Sequence, residues 1–279
     1  TYTVVIIEWL ARWPAASVPL RLSPAALAAV YAAIGGLTLL ASTRKEQRRG
    51  LAERLRARLG LVAALVALTL VMLLAVAWFL SRPDGRLHVA FLDVGQGDAT
   101  LITSPGGRQV LIDGGRYPSM LLDELGEQMP FWDRSIDLII ATHPDDDHVA
   151  GLVAAAGRYQ VDRLVTNGAP PDDDAAYATL LATAPEGSVH TAQPGEVIDL
   201  GDGARLEIIH AGGPPGARSS DNNASVVARL TYGQLSVLLT GDAEEAAEGA
   251  MLRSGLHLRA VILKAGHHGA NTSSGALFL

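Results

Sequence analysis

The feature that most constrains the fold is a run of 22 residues without a charge, Leu59–Leu80 (LGLVAALVALTLVMLLAVAWFL). A helix of that length measures about 33 Å, and the hydrocarbon core of a bilayer is roughly 30 Å thick. A second uncharged stretch, Ser23–Ser42, is rich in Ala and Gly, and its part Pro24–Ala41 would reach about 27 Å. We therefore predict transmembrane helices over about 24–42 and 59–80. The alternative is a pair of buried helices in a soluble protein.

The segment between these predicted helices, residues 43–58, contains seven Lys or Arg and two Glu. Short loops rich in Lys and Arg stay in the cytoplasm, so the second helix would carry the rest of the chain to the outer face. We expect a multi-pass membrane region over 1–82. Trp9 and Trp13 favour an interfacial segment at residues 1–14, or else the tail of an earlier spanning helix. The lack of an initiator Met and of a signal peptide predicts a fragment of a larger membrane protein.

The remainder of the chain has the opposite charge balance. Residues 1–82 carry ten Lys or Arg against three Asp or Glu, whereas residues 83–279 carry twelve against twenty-six and all eight His. The absence of Cys excludes a disulfide framework, a Cys-ligated zinc site and a thiol nucleophile. An aromatic content of 5% disfavours a protein that binds single strands by base stacking. We expect a short linker at 83–86 and a separate folded domain over 87–279.

Short apolar runs separated by Gly-rich turns predict an α/β domain after the linker. Three runs joined by the turns GQGD and SPGG predict an antiparallel meander. The continuous apolar run IDLIIAT predicts a strand that is buried on both faces, and helices are expected near 148–157, 172–183 and 243–254. Because strands come in two batches, each followed by helices, the pattern favours two mixed sheets with helices outside. The predicted strands are 87–94, 99–103, 109–113, 136–142, 161–166, 204–210, 224–232, 234–240 and 259–265.

The strongest chemical signal is the motif THPDDDH, Thr142–His148, between a predicted buried strand and a predicted helix. In an extended turn, alternate side chains point the same way. His143 and Asp145 can therefore reach one metal ion, while Asp147 and His148 reach its neighbour. A solvated acidic loop is the alternative, but two His around three Asp after an apolar strand fit it poorly.

Two other predicted strand ends carry residues of the same kinds. Asp242 follows strand 234–240, and His267 and His268 follow strand 259–265. Taken singly, an Asp before a helix is more often an N-cap, and a His pair in a Gly-rich loop is more often surface. Taken together with THPDDDH, these residues have the composition of a hydrolytic site with two metal ions.

Further polar residues near these strand ends have two open interpretations. Asp113, in LIDGG, is either a turn residue or a residue that orients metal ligands. Asn222, Asn223 and Ser225 either contact a phosphate or support a ligand, or they form an Asx-turn that opens a strand. The acidic pair at 244–245 is expected in the first turn of a helix, where carboxylates favour the helix dipole.

Six motifs, in the order FLDVGQGDATLI, LIDGG, THPDDDHVAGL, DNNASVV, LLTGDAE and LKAGHHG, resemble the metallo-β-lactamase-type domain of the ComEC family. That family comprises membrane channels for DNA uptake in competent bacteria. The resemblance covers Leu87–Leu279, and two preceding membrane helices fit it. It implies an α/β fold of the four-layer αββα type, which agrees with the two batches of strands. Family members continue past this point, so we expect a domain truncated at its C-terminus.

The resemblance also implies two divalent metal ions. The ligand set that it implies is His143 and Asp145 for one ion, Asp147, His148 and His267 for the other, and Asp242 as the bridge. Asp145 stands where the superfamily has its second His, and no further His is evident between the first motif and Asp242. Because a carboxylate in place of an imidazole hardens the site, we expect Mn²⁺ to be favoured over Zn²⁺.

The function that the resemblance implies is a nuclease that degrades the non-transported strand of incoming DNA during natural transformation. The chemistry would be hydrolysis of a phosphodiester near Asp147 and Asp242, with the ions activating water and stabilising charge. His268, Lys264 and Ser273 are candidates for contacts with the phosphate or the leaving oxygen. Since a strongly acidic domain repels a polyanion, we expect weak, salt-sensitive DNA binding, with other domains of the channel holding the DNA.

Two other functions fit the same residues. A metal-dependent hydrolase of another phosphodiester or ester would cleave small substrates and leave DNA intact. A non-catalytic accessory domain that gates or braces the channel would fold without taking up metal. Metal content and substrate range therefore discriminate among the three functions.

Overall fold

The computed structural model describes residues 28–36, 51–80, 82–171, 174–212 and 222–279. The chain divides into two compact units, Thr1–Ser81 and Arg82–Leu279. The segment at 1–14, for which an interfacial position is expected, lies outside the described residues.

The described residues of the first unit are helical. Residues 28–36 (α1) lie within the predicted helix 24–42, and the rest of that prediction falls outside the described residues. Helix Leu51–Leu80 (α2) contains the predicted span 59–80 but begins earlier, because the basic segment before the span is rich in good helix formers. Within it, Arg58–Phe79 has a mean hydropathy of 2.9 and is the one described helix long and apolar enough to cross a membrane.

The first of two mixed sheets in the second unit has six strands. They are β1 His88–Phe91, β2 Thr100–Thr103, β3 Gln109–Ile112, β5 Leu138–Ala141, β7 Leu164–Thr166 and β8 Val189–Thr191, in the spatial order β1-β2-β3-β5-β7-β8. The first three form the predicted antiparallel meander, and the other three are added in parallel. Two short strands, β4 Ser135–Ile136 and β6 Gln160–Val161, pair separately.

The second sheet has five strands. They are β9 Val197–Gly201, β10 Ala204–His210, β11 Val227–Tyr232, β12 Leu235–Leu239 and β13 Ile262–Lys264, in the spatial order β13-β12-β11-β10-β9. All neighbours are antiparallel except β12 and β13, which run parallel. Every strand predicted from the sequence overlaps an observed strand, while β8 and β9 were not predicted.

Four helices accompany the sheets in the part of the second unit that the structure describes. They are α3 Pro118–Gln128, α4 Asp146–Arg158, α5 Ala175–Thr183 and α6 Glu245–Arg253, together with 3-10 turns at Asn222–Ala224 and His267–Gly269. Helix α5 has an N-cap carboxylate, Asp174, which accepts hydrogen bonds from the backbone N–H groups of Ala176 and Tyr177. Helix α3 was not predicted: Pro118 is a favourable first residue, but the N-cap residue, Tyr117, makes no side-chain cap.

Three apolar clusters show how these elements are layered. Alternation along β3 sends Leu111 toward helices α3 to α5, whereas Val110 and Ile112 face the second sheet. On the far side of the second sheet, Leu238 packs with Met251 of α6. The order is therefore helices, sheet, sheet, helix, and the predicted metallo-β-lactamase-type α/β fold is confirmed.

The layers bring several strand ends to one edge of the unit. Strands β3 and β5 are parallel neighbours, and β12 and β13 are parallel neighbours in the facing sheet. The loops after these four strands contain Asp113, the THPDDDH motif, Asp242 and the His pair. A hydrogen bond of 2.9 Å from the backbone N–H of Val226 to the carbonyl of Thr142 joins the two sheets at this edge.

Candidate metal centre

Three buried side chains form the centre of the site. His143 and His148 have no exposed surface, and Asp242 is 3% exposed. Each offers one ligand atom, and these atoms all lie within 4.8 Å of one another. The two imidazoles come from the loop after β5 and the start of α4, and the carboxylate comes from the loop after β12.

The polar atoms at this centre include three that have no hydrogen-bond partner among the described residues. They are Nε2 of His143, Nε2 of His148 and Oδ1 of Asp242. Nε2 of His148 lies 3.2 Å from the other carboxylate oxygen of Asp242, without the alignment of a hydrogen bond. Buried polar atoms are normally satisfied. Two imidazoles and a carboxylate that converge, each with an unsatisfied buried atom, fit a divalent cation.

His148 is held in place by Asp113. Oδ2 of Asp113 lies 2.8 Å from Nδ1 of His148, and the same carboxylate accepts hydrogen bonds of 2.8 Å from the backbone N–H and the hydroxyl of Thr142. Burial alone would lower the pKa of His148, but the charge of Asp113 and its hydrogen bond raise it well above its usual range. Of the two interpretations of Asp113, the contacts favour the one in which it orients a ligand.

Two hydroxyl groups contact the Nδ1 atom of His143 and hold its ring in place. Its Nδ1 lies 3.1 Å from Oγ1 of Thr142 and 3.4 Å from Oγ of Ser225. The hydroxyl of Ser225, which has no exposed surface, also accepts a hydrogen bond of 3.3 Å from the backbone N–H of Asp242. Ser225 therefore supports the centre from within, and it is not placed to contact a phosphate.

The more accessible side of the centre is formed by Asp147 and His268. Nε2 of His268 lies 3.3 Å from Oδ2 of Asp242 and 3.7 Å from Oδ2 of Asp147. Asp242 and Asp98 raise the pKa of His268 to about 9. Burial would raise the pKa of Asp242, but the neighbouring His148 and His268 lower it overall. Two further sets of metal-capable ligand atoms lie here, one of Asp147, His148 and His268 and one of Asp98, Asp242 and His268.

His267 is not brought to this centre. Its Nδ1 lies 2.9 Å from Oε1 of Glu244, and the hydroxyl of Thr272 donates to the same oxygen at 2.7 Å. Asn222 places its amide nitrogen 3.4 Å from the His267 ring, and Asn223 directs its amide toward Glu244. These contacts place the two Asn side chains next to His267 and Glu244, beside the centre.

Three other predicted residues occupy different positions. Oδ2 of Asp145 lies 3.6 Å from Nε2 of His143, which lowers the Asp145 pKa, although its side chain is 44% exposed. Lys264 forms an ion pair with Asp98 at the rim of the centre. The hydroxyl of Ser273 donates to the carbonyl oxygens of Gly266 and Ala270, so it braces the loop after β13 and does not face the centre.

Two residues of the site were not found by sequence reasoning. Asp98 was treated as part of a turn, and Glu244 as the first turn of a helix. The structure explains the glycine before Asp98, because a Cβ on Gly97 would lie 1.7 Å from the carbonyl oxygen of Asp147. The signal for Asp98 was an acidic residue at the end of a Gly-rich turn between two predicted strands, comparable to Asp113, which precedes a Gly pair.

These layers and this cluster define a metal-dependent hydrolase fold. Residues 92–279 match the metallo-beta-lactamase superfamily, and the chain belongs to it. It is 31% identical to ComE operon protein 3 of Bacillus subtilis over 69% of this chain and 26% of that protein. It is 28% identical to competence protein ComA of Neisseria gonorrhoeae over 71% of this chain and 26% of that protein. The predicted resemblance to the ComEC family is confirmed.

The chain spans about a quarter of the length of these curated relatives. Among solved structures, the Rm3 metallo-beta-lactamase is 20% identical to this chain. The match covers 64% of this chain and 65% of that protein's chain, with a TM-score of 0.41. The fold follows from the layers themselves and does not depend on that likeness.

Proposed function

We propose that the second unit is a metal-dependent phosphodiester hydrolase, a nuclease that acts on DNA during uptake. The observation that carries the proposal is the convergence of ligand atoms from the buried side chains of His143, His148 and Asp242, each of which has an unsatisfied polar atom, beside the more open pair Asp147 and His268. The similarity to competence protein ComA supports DNA as the substrate. The other domains of a full-length channel would hold the DNA and pass one strand.

His143, His148 and Asp242 would hold one divalent ion, and Asp147 and His268 would hold a second, with Asp242 shared. His268 thus takes the role that the resemblance gave to His267, because its Nε2 is the nitrogen that lies near Asp242 and Asp147. When bound, the ions would supply Lewis-acid stabilisation of the charge that develops on the phosphate. Asp113, Thr142 and Ser225 fix the two buried imidazoles, so these ligands need no reorganisation.

The metal preference is a further part of the proposal. Asp145 and Asp147 add carboxylate oxygens beside a centre that already combines the carboxylate of Asp242 with imidazole ligands, and oxygen ligands favour harder ions. We therefore expect Mn²⁺ to be bound in preference to Zn²⁺. Metal analysis of the whole chain, purified in detergent without added metal, tests this, and stoichiometric zinc with no manganese would contradict it.

The placement of the unit is also proposed. Helix α2 supports a membrane region over 1–82, and a linker at 83–86 would lead to a hydrolase domain at 87–279. The basic residues before the span favour a cytoplasmic position for its start, which would put the domain on the outer face of a multi-pass protein. Incoming DNA would meet the site there before entering the channel.

The test is cleavage of single- and double-stranded DNA by the whole chain in detergent, with Mn²⁺, Zn²⁺ or Mg²⁺. We expect metal-dependent cleavage that Asp147→Ala lowers by more than about 100-fold, because loss of an outer-sphere partner of a metal already costs 10–100-fold. Asp146→Asn is the matched control, since Asp146 is the exposed neighbour in the same turn. Cleavage should weaken as salt rises, because salt screens the attraction between DNA phosphates and the few cations, the bound metal ions included, that would hold DNA against the acidic unit.

The outcomes separate the proposed function from its alternatives. If the chain hydrolyses small phosphodiesters and leaves DNA intact, its function is that of another hydrolase and not that of a nuclease. A folded chain that takes up no metal would support the non-catalytic accessory role instead.

A further inference from the structure

We propose that Asp98 is a positioning residue for His268, and that Lys264 holds Asp98 in place. Asp98 lies in the GQGD turn between β1 and β2, far in sequence from His268. Oδ1 of Asp98 lies 3.2 Å from Nδ1 of His268, and its other carboxylate oxygen forms the ion pair with Lys264. The inference rests on the proposed function, because it concerns how that site keeps a ligand in position.

The same arrangement occurs twice in the site. Asp113 contacts Nδ1 of His148 at 2.8 Å, and Asp98 contacts Nδ1 of His268 at 3.2 Å. In both cases Nε2 is left facing Oδ2 of Asp242, at 3.2 Å and 3.3 Å. A carboxylate on one ring nitrogen fixes the tautomer in which the other nitrogen is free to bind metal. Asp98 therefore orients the more exposed imidazole, that of His268, in the same way that Asp113 orients the buried imidazole of His148.

Several contacts fix Asp98 itself. Its side chain is 13% exposed and that of Lys264 is 16% exposed, so the ion pair is largely shielded from water. The backbone N–H of Gly115 donates to the carbonyl of Asp98 at 2.9 Å, which ties the GQGD turn to the LIDGG turn. The close approach of Gly97 to Asp147 brings the turn against the site.

This assignment changes the role of Lys264. Sequence reasoning made it a candidate for the phosphate or the leaving oxygen. In the structure its ammonium group is paired with Asp98, and Lys264 can only donate hydrogen bonds. An Asp98 carboxylate that accepts from Lys264 on one oxygen leaves the other oxygen to accept from His268.

The experiment compares metal affinity of the whole chain with that of Asp98→Asn, by chelator competition. The new amide oxygen would turn to Lys264, so an amide N–H would face Nδ1 of His268 and favour the wrong tautomer. We expect a 10–100-fold loss of affinity for one of two ions, with both still bound at saturation. Asp93→Asn, at an exposed position in the same segment, is the matched control and should change nothing.

A spectroscopic readout separates positioning from a general structural effect. In the zinc-loaded chain, NMR should detect a slowly exchanging Nδ1–H proton of His268, assigned by its loss in His268→Gln and absent in Asp98→Asn. Lys264→Met should lower affinity too, and the double variant should lose no more than Asp98→Asn alone.

Two results would overturn the assignment. Unchanged affinity and an unchanged Nδ1–H signal in Asp98→Asn would make Asp98 a partner of Lys264 alone. Loss of one ion even at saturating metal would make Asp98 a direct ligand. Both readouts concern metal binding, so they stand apart from the DNA test: a chain that cleaves no DNA would refute the nuclease proposal and leave this one open to confirmation.

Discussion

Replacing Asp242 with alanine is expected to reduce DNA cleavage by more than about 100-fold and to lower the retention of metal. The carboxylate of Asp242 lies within 3.3 Å of the Nε2 atoms of both His148 and His268, so it is shared by the two halves of the site. Removal of a partner that only orients a metal ligand costs about 10–100-fold, and a shared ligand should cost more.

The measurement pairs cleavage rate with metal content after dialysis. Glu245→Ala is the matched control, because Glu245 is an exposed acid three residues further along the same loop and helix. If Asp242→Ala kept both ions and its cleavage rate, Asp242 would not be a ligand, and the centre would have to be assigned to other residues.

The sequence predicted the layers and most of the site because their signals are local. The apolar run before THPDDDH is fully buried as strand β5, and the motif follows it directly. Strands β8 and β9 gave weak signals, since one has three residues and the other is a sheet edge with alternate residues exposed. Short edge strands bury too little apolar surface to leave a clear pattern.

The choice between His267 and His268 could not be made from the sequence. The two residues are adjacent, and both adopt a left-handed backbone conformation, with φ of 46° and 51°. This local conformation sends one ring to Glu244 and the other to Asp242. Spacing carries no information about such a turn, so the sequence cannot tell which of the two imidazoles faces the centre.

Asp98 was missed for a different reason. Its partners, Lys264 and His268, lie more than 160 residues away in the chain. A contact between a turn of the first sheet and a strand end of the second exists only once the two sheets pack face to face. The local sequence pattern shows that the residue at a strand end is polar. Which other polar residue it contacts depends on the tertiary fold.

Replacing Asp113 with alanine is expected to destabilise the metal-free second unit by about 3–5 kcal/mol, the usual cost of removing one partner from a buried ion pair. Three buried donors would lose their acceptor: the N–H and hydroxyl of Thr142 and Nδ1 of His148. Because Asp113 raises the pKa of His148 well above its usual range, the variant would leave a buried imidazolium without its partner. That imidazolium must either lose its proton or become exposed to water.

The loss would be measured by hydrogen exchange of the buried amides of strand β5 in the whole chain without metal. Asp123→Ala, at an exposed position on helix α3, is the matched control and should change stability by no more than about 0.5 kcal/mol. Equal exchange rates in the two variants would mean that Asp113 contributes nothing to folding beyond an exposed Asp. A large loss of stability would show instead that the carboxylate that orients His148 also stabilises the end of strand β5. The contacts that position the metal ligands would then also stabilise the surrounding fold.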